Sequence, residues 1–167
     1  MTPAPAGRRH FPEILALNAE SVHFLSPLSA QQLEHLHAHA IYHRVVIDSQ
    51  CVVAFLLALG PGAPYDSVNY RWFAARYANF LYVDRIVVSQ AARGKGLASL
   101  LYEDLFHMAR VHGFAQVVCE FDIDPPNPVS ETLHRRFGFT QVGTQLVAAG
   151  SKLVSLQSAP VWAPHAD

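Results

Sequence analysis

Cysteine is scarce in this chain: two in 167 residues, too few to staple a fold. Cys51 and Cys119 both fall in strongly apolar stretches, so they are expected as buried free thiols of a reducing compartment, not as a disulfide. Charge is scarce too, with 12 Lys and Arg against 13 Asp and Glu and a formal net charge of −1. Without a basic excess the chain is not expected to bind nucleic acid in general. Long apolar runs are also missing. The longest, Cys51–Leu59, reaches about half of the roughly 20 residues that a membrane-spanning helix needs, so no membrane partner is expected. The N-terminal MTPAPAGRRHFP has no apolar centre of the kind a signal peptide carries. A cytoplasmic location follows as the expectation.

Apolar residues themselves are plentiful, 51% against 15% charged, which excludes disorder. The length suits one ordinary domain over 1–167, with residues 1–10 and 158–167 expected as loose ends.

The stretch 80–112 organises the rest. FLYVDRIVV is β-branched and aromatic, as a buried strand should be. LASLLYEDLFHMARVH repeats apolar residues at helical spacing. Between them lies Arg93-Gly94-Lys95-Gly96. A strand entering a helix through such a turn aims backbone N–H groups outward at the positive end of the helix dipole, a seat for phosphate. A P-loop would need Ser or Thr after Gly-Lys, and Gly96 is followed by Leu97, so it is excluded. A dinucleotide fingerprint, Gly94-x-Gly96-x-x-Ser99 with Glu120 or Asp122 as the later acid, lacks its third glycine.

Arg93-x-x-Gly96-x-Ala98 resembles the Q/R-x-x-G-x-G/A signature of the GNAT superfamily of acyl-CoA-dependent N-acyltransferases, preceded as in that family by an apolar strand, Ile86-Val87-Val88. A second match lies downstream. Asn127, Ser130, His134, Gly138 and Phe139 keep the family spacing of Asn, Ala or Ser, Tyr and then Gly-Phe, with His134 where tyrosine is most common. The resemblance spans roughly residues 40–157.

Along the chain, Pro12 to about Glu20 reads as a helix and Ser29-Ala30-Gln31-Gln32 as a capping box opening a second helix to about Ala40. IYHRVVID and CVVAFLLAL read as a hairpin, residues 60–79 as a long polar-aromatic connection, and Gln116–Asp122 as the next strand. Asn127 suits an N-cap with Pro128 first in a short helix, and FTQVGTQLV with KLVSLQ makes a closing hairpin. A mainly antiparallel sheet with one βαβ crossover satisfies that order. The resemblance implies the same α+β class: a GNAT-like three-layer fold with a mixed, mostly antiparallel sheet of about seven strands, flanked by about four helices and splayed between strands 4 and 5.

The resemblance further implies acetyl-CoA as co-substrate, without a metal. Its diphosphate would sit on Arg93, Gly94, Lys95, Gly96, Leu97 and Ala98, its pantetheine arm along Ile86, Val87 and Val88. Asn127 and Ser130 would help seat the thiol end. Acyl transfer to an amine then needs a base for an ammonium of pKa roughly 10, a donor for the carbonyl oxygen, and help for the departing thiolate. His134 occupies the family's leaving-group position; it is either a hydrogen-bond partner of the sulfur or a histidine without a chemical role. Asp84, Glu120 and Asp122 on the two central strands are the candidate bases, and salt bridges are the competing explanation, for Asp84 with Arg85, Arg71 or Arg76.

The aromatic residues Tyr65, Tyr70, Trp72, Phe73, Tyr77 and Tyr82 either line an acceptor pocket or cover the hairpin core. His35, His37, His39 and His43 read as a solvated face before a metal site. The expected function is acetyl transfer from acetyl-CoA to a small-molecule or peptide amine. The alternative is a non-catalytic acyl-CoA-binding sensor or partner module. The closing hairpin and Val161-Trp162 leave room for a homodimer.

Overall fold

In the computed structural model, which describes residues 1–23 and 25–162, the chain divides into two units, Met1–Leu59 with Val83–Leu105 and Gly60–Tyr82 with Phe106–Asp167. The first begins with β1 (Ala4–Pro5), followed by α1 (Phe11–Glu20), α2 (Ala30–His39), β2 (Ala40–Asp48) and β3 (Cys51–Leu59). It also takes in most of β4 (Leu81–Val88) and the start of α4 (Leu97–Val111).

Local chemistry explains most of these boundaries. Pro12 occupies the first turn of α1, where its missing N–H costs nothing. Ser29 Oγ accepts from Gln32 N at 3.1 Å while Gln32 Oε1 accepts from Ser29 N at 2.8 Å, the reciprocal box expected at the head of α2. Ser49 and Gln50 take positive φ, 51° and 71°, which sets the tight two-residue turn that puts Asp48 opposite Cys51. Ile14, Leu33, Val45, Val46 and the run Phe55–Leu59 are fully buried, each large side chain contributing about 1.5–3 kcal/mol. Cys51 departs from expectation: it is exposed, whereas Cys119 is buried. It is the first residue after the hairpin turn, where no neighbouring element covers it.

The second unit carries α3 (Val68–Ala74), β5 (Gln116–Asp124), α5 (Pro128–Arg136), β6 (Thr140–Val147) and β7 (Lys152–Pro160). The stretch expected as a bare connection therefore holds a seven-residue helix, capped by Ser67 Oγ, which accepts from Tyr70 N at 3.3 Å.

Strand hydrogen bonding runs in the order β1-β2-β3-β4-β5-β7-β6. The seven strands make the expected mixed sheet. β1 with β2, β2 with β3, β5 with β7 and β6 with β7 are antiparallel, and β4 with β5 is parallel. That parallel ladder consists of Leu81↔Val117 and Tyr82↔Val118, the splayed pairing expected between strands 4 and 5. Of the ends expected to be loose, Ala4–Pro5 pairs with β2 and β7 continues to Pro160; residues 163–167 lie outside the described residues. Among the described residues no helix is long and apolar enough to cross a membrane.

Candidate functional site

In the first unit, β4 buries alternate residues from Val83 onward. Arg85 and Val87 are buried, while Ile86 and Val88 are only partly covered, so the expected pantetheine strand offers Ile86 and Val88 on one open face. At its end Ser89 N donates to Val53 O at 2.8 Å and Ala92 N to Ser89 O at 2.9 Å, which ties the chain down before the turn. Ser89, Gln90 and Ala91 line a cleft of about 460 Å³ with Glu20.

Arg93 to Gly96 are all exposed. Gly94 and Gly96 have φ of +80° and +74°, and a Cβ on either would meet nothing within 4 Å. Packing does not demand these glycines. Their backbone angles do, and the missing side chains leave the amides approachable. Leu97 is buried and anchors α4, whose first helical bond runs from Leu100 N to Gly96 O at 3.0 Å. The amides of Leu97 and Ala98 precede that bond and have no acceptor inside the helix. No acid occupies the first turn of this 15-residue helix, so its positive end is not offset locally. Lys95 Nζ lies 3.7 Å from Asp48 Oδ2, both about half exposed, a pair of the kind that contributes little. Arg93 and Lys95 therefore suit a diphosphate.

Asp84 is the candidate base that the fold draws into an ion pair. Arg85 Nε donates to its Oδ2 at 2.7 Å, with both side chains nearly inaccessible. The same guanidinium reaches Asn18 Oδ1 at 2.8 Å and Ser26 O at 3.4 Å. Of the arginines that could have paired with Asp84, its sequence neighbour does.

In the second unit, Asp122 likewise faces a cation, Lys152 Nζ at 3.4 Å. Glu120 is half-buried, and its Oε1 accepts from Tyr82 Oη at 2.8 Å.

The downstream motif collapses onto α5. Asn127 Oδ1 caps the helix by accepting from Ser130 N at 3.3 Å. Spacings of three and four then bring Ser130 and His134 onto one face, where His134 Nδ1 donates to Ser130 O and lies 3.2 Å from Ser130 Oγ. Gly138, at φ +80°, ends the helix so that Phe139 packs edge-on against His134 at 5.1 Å, with Phe121 on another side at 5.3 Å. His134 is 3% exposed. Burial, opposed by the bond to Ser130, pushes its pKa down to about 4. A carbonyl oxygen can only accept, so the neutral ring carries its proton on Nδ1 and its lone pair on Nε2.

The histidines of α2 and β2 are not all on a solvated face. His35 and His39 are exposed, but His37 and His43 meet Nδ1 to Nδ1 at 2.8 Å beside Phe11 and Phe55. The chain turns into a strand at Ala40, so the helical spacing does not extend to His43. Burial, then the charges of His37 and His10, hold His43 down to about 3. Among the described residues no group of three or more His, Cys, Asp or Glu is arranged to hold a metal.

Both His43 and His134 titrate near 6.5 in an unfolded chain. Their folded values are lower, so the unfolded chain takes up protons first, and stability present above about pH 6.5 is lost as pH falls toward 4. The urea midpoint is therefore expected to drop between pH 7 and pH 4.5. His134 alone contributes roughly 3 kcal/mol at 1.36 kcal/mol per unit, so His134→Phe should flatten the profile; an unchanged slope would mean that the folded ring is already protonated.

Among the aromatics, Tyr70, Phe73 and Tyr82 are core residues, while Tyr65, Trp72 and Tyr77 are half-buried. Trp72 lies against β6, where a Cβ on Gly143 would come within 2.7 Å of it.

A family model described as the acetyltransferase (GNAT) family matches residues 11–139. No curated protein matches the chain. Among solved structures, the ribosomal-protein-S18-alanine N-acetyltransferase from Escherichia coli is 13% identical with a TM-score of 0.73, over 99% of this chain and 97% of that one. Ard1 from Thermoplasma volcanium is 13% identical with a TM-score of 0.78, over 97% and 98%. A NatC complex bound to Gag peptide and CoA is 16% identical with a TM-score of 0.71, over 96% and 99%. At these identities the likeness is one of fold.

Proposed function

The chain belongs to the GNAT acetyltransferase family, and on that premise we propose that it moves an acetyl group from acetyl-CoA directly to a primary amine. The observation that carries this reading is the Arg93–Ala98 turn: two exposed cations, two glycines at positive φ with open space where a side chain would be, and a long helix with no acid in its first turn. Arg93, Gly94, Lys95, Gly96, Leu97 and Ala98 hold the diphosphate. Ile86, Val87 and Val88 take the pantetheine amides, with a backbone N–H of β4 for the carbonyl oxygen. Asn127 and Ser130 support the thiol end through the head of α5.

Glu120 removes the proton that the acceptor amine must lose, directly or through a water. Asp84 and Asp122 serve instead as partners of Arg85 and Lys152. The departing thiolate takes up the proton that the attacking nitrogen sheds as the amide forms, and His134, whose Nδ1 proton is held by Ser130 O, accepts a hydrogen bond from the resulting thiol at Nε2. Neither cysteine lies in the motif loops, so no covalent enzyme intermediate is needed. The domain acts as one unit, in the cytoplasm where acetyl-CoA is supplied, on a small-molecule or peptide amine.

Two measurements test this. At 100 times its dissociation constant coenzyme A adds about 2.7 kcal/mol of stability, a rise of roughly 5–10 °C in Tm for a chain of this size, whereas NAD should leave Tm unchanged. Stabilisation by NAD and not by coenzyme A would sink the reading. Acetyl-CoA turnover is then measured with alkyl and aryl amines, polyamines, amino acids and peptides with a free N-terminus. Tight coenzyme A binding without turnover on any of them favours the second reading, a non-catalytic acyl-CoA module, for which the neutral His134 in the usual tyrosine position speaks.

A further inference from the structure

Tyr82 is buried to 1% exposure, and its phenol is committed to a carboxylate: Oη donates to Glu120 Oε1 at 2.8 Å. Strand register produces the contact. Tyr82 opposes Val118 in the last pair of the parallel ladder, and Glu120, two residues on, shares Val118's face of β5. The Tyr82 ring has little freedom to leave. Tyr70 stands edge-on to it at 5.4 Å and Phe73 lies at 5.9 Å. Tyr70 is itself pinned, its hydroxyl donating to Gly60 O at 2.7 Å and accepting from Ala63 N at 3.0 Å. Phe73 is fully buried and stacks on Tyr77 at 6.3 Å. Helix α3, the element hidden in the β3–β4 connection, thus supplies a rigid aromatic backing for one hydroxyl.

The donor's type matters. A phenol fixes the orientation of a carboxylate and favours its ionised form, yet adds no positive charge. The geometry points to Tyr82 as a positioning residue that, backed by Tyr70 and Phe73 of α3, holds Glu120 ionised and aimed for proton removal from the acceptor amine. This inference rests on the reading of Glu120 as the base.

The test follows kcat/KM from pH 5.5 to 9 with acetyl-CoA and the panel amine of highest turnover, the same amine throughout so that its own ionisation is common to every protein. In Tyr82→Phe the acid limb should move up by about one pH unit. The rate should then fall by up to about tenfold at the acid end of the range but stay within threefold at pH 9, with coenzyme A affinity within twofold. Replacing Tyr82 by 3-fluorotyrosine, a more acidic phenol of nearly the same shape, should move the limb the other way; it also covers the case in which Tyr82→Phe folds poorly. A uniform loss at every pH, or no shift with either replacement, would reduce Tyr82 to a packing residue and overturn the inference. Glu120→Gln separates the two layers. Wild-type rates in that variant remove the base and the inference together, as would an absence of turnover on every amine. A slow Glu120→Gln beside an unmoved limb in the Tyr82 proteins removes the inference alone.

Discussion

Gly96→Glu is expected to lose coenzyme A by about three orders of magnitude while the protein stays folded. Gly96 sits at φ +74° with nothing within 4 Å of a would-be Cβ, so the new side chain meets no steric obstacle. The cost to the fold is that of a left-handed non-glycine residue, about 1–2 kcal/mol, partly offset because a carboxylate is welcome at a helix N-terminus. That same carboxylate would stand where the diphosphate belongs. Two like charges about 4 Å apart repel by roughly 4 kcal/mol at an effective dielectric constant near 20, close to a thousandfold in Kd. Gly62→Glu is the matched control, since Gly62 has φ +77° and equally open surroundings but lies in the connection after β3. It should lose at least as much stability, lacking the helix end that offsets the cost at Gly96, and keep coenzyme A. Calorimetric affinities within threefold of wild type for Gly96→Glu would show that the turn is not the phosphate seat.

Glu120→Gln is expected to lower kcat by about 10²–10⁴, the range that general-base catalysis supplies, with coenzyme A affinity unchanged within twofold. Glutamine is nearly isosteric, and its carbonyl oxygen can still accept from Tyr82 Oη, so the contact at 2.8 Å survives in neutral form. What disappears is the capacity to take a proton near neutrality. Retention of kcat within threefold of wild type would exclude Glu120 as the base.

Much of the fold was legible because its signals are local. The Ser29 box, the Asn127 cap, the proline at the head of α1 and the glycine-bearing turn before α4 are each made by residues within a few positions of one another. The spacing of Asn127, Ser130 and His134 was legible for the same reason, being that of one helical face. Helix α3 escaped because seven residues give barely two turns, too few for an apolar repeat to rise above a mixed aromatic background. His43 departs from the solvated face expected of these histidines because the chain becomes a strand at Ala40, which turns its ring toward His37.

The sequence by itself determined the glycine-bearing turn, the strand before it and the helix after it, since backbone angles and helix amides there depend on Gly94, Gly96 and their immediate neighbours. It also determined which acids were candidates. Only the tertiary structure gave these acids their neighbours, Arg85 and Lys152 beside Asp84 and Asp122 and Tyr82 beside Glu120. The physical reason is that a carboxylate's character follows from its partner's charge. For Asp122 and Glu120 that partner arrives through strand register from 30 or more residues away, and even for Asp84 the choice among arginines was fixed by the burial that Asn18 and Ser26 complete.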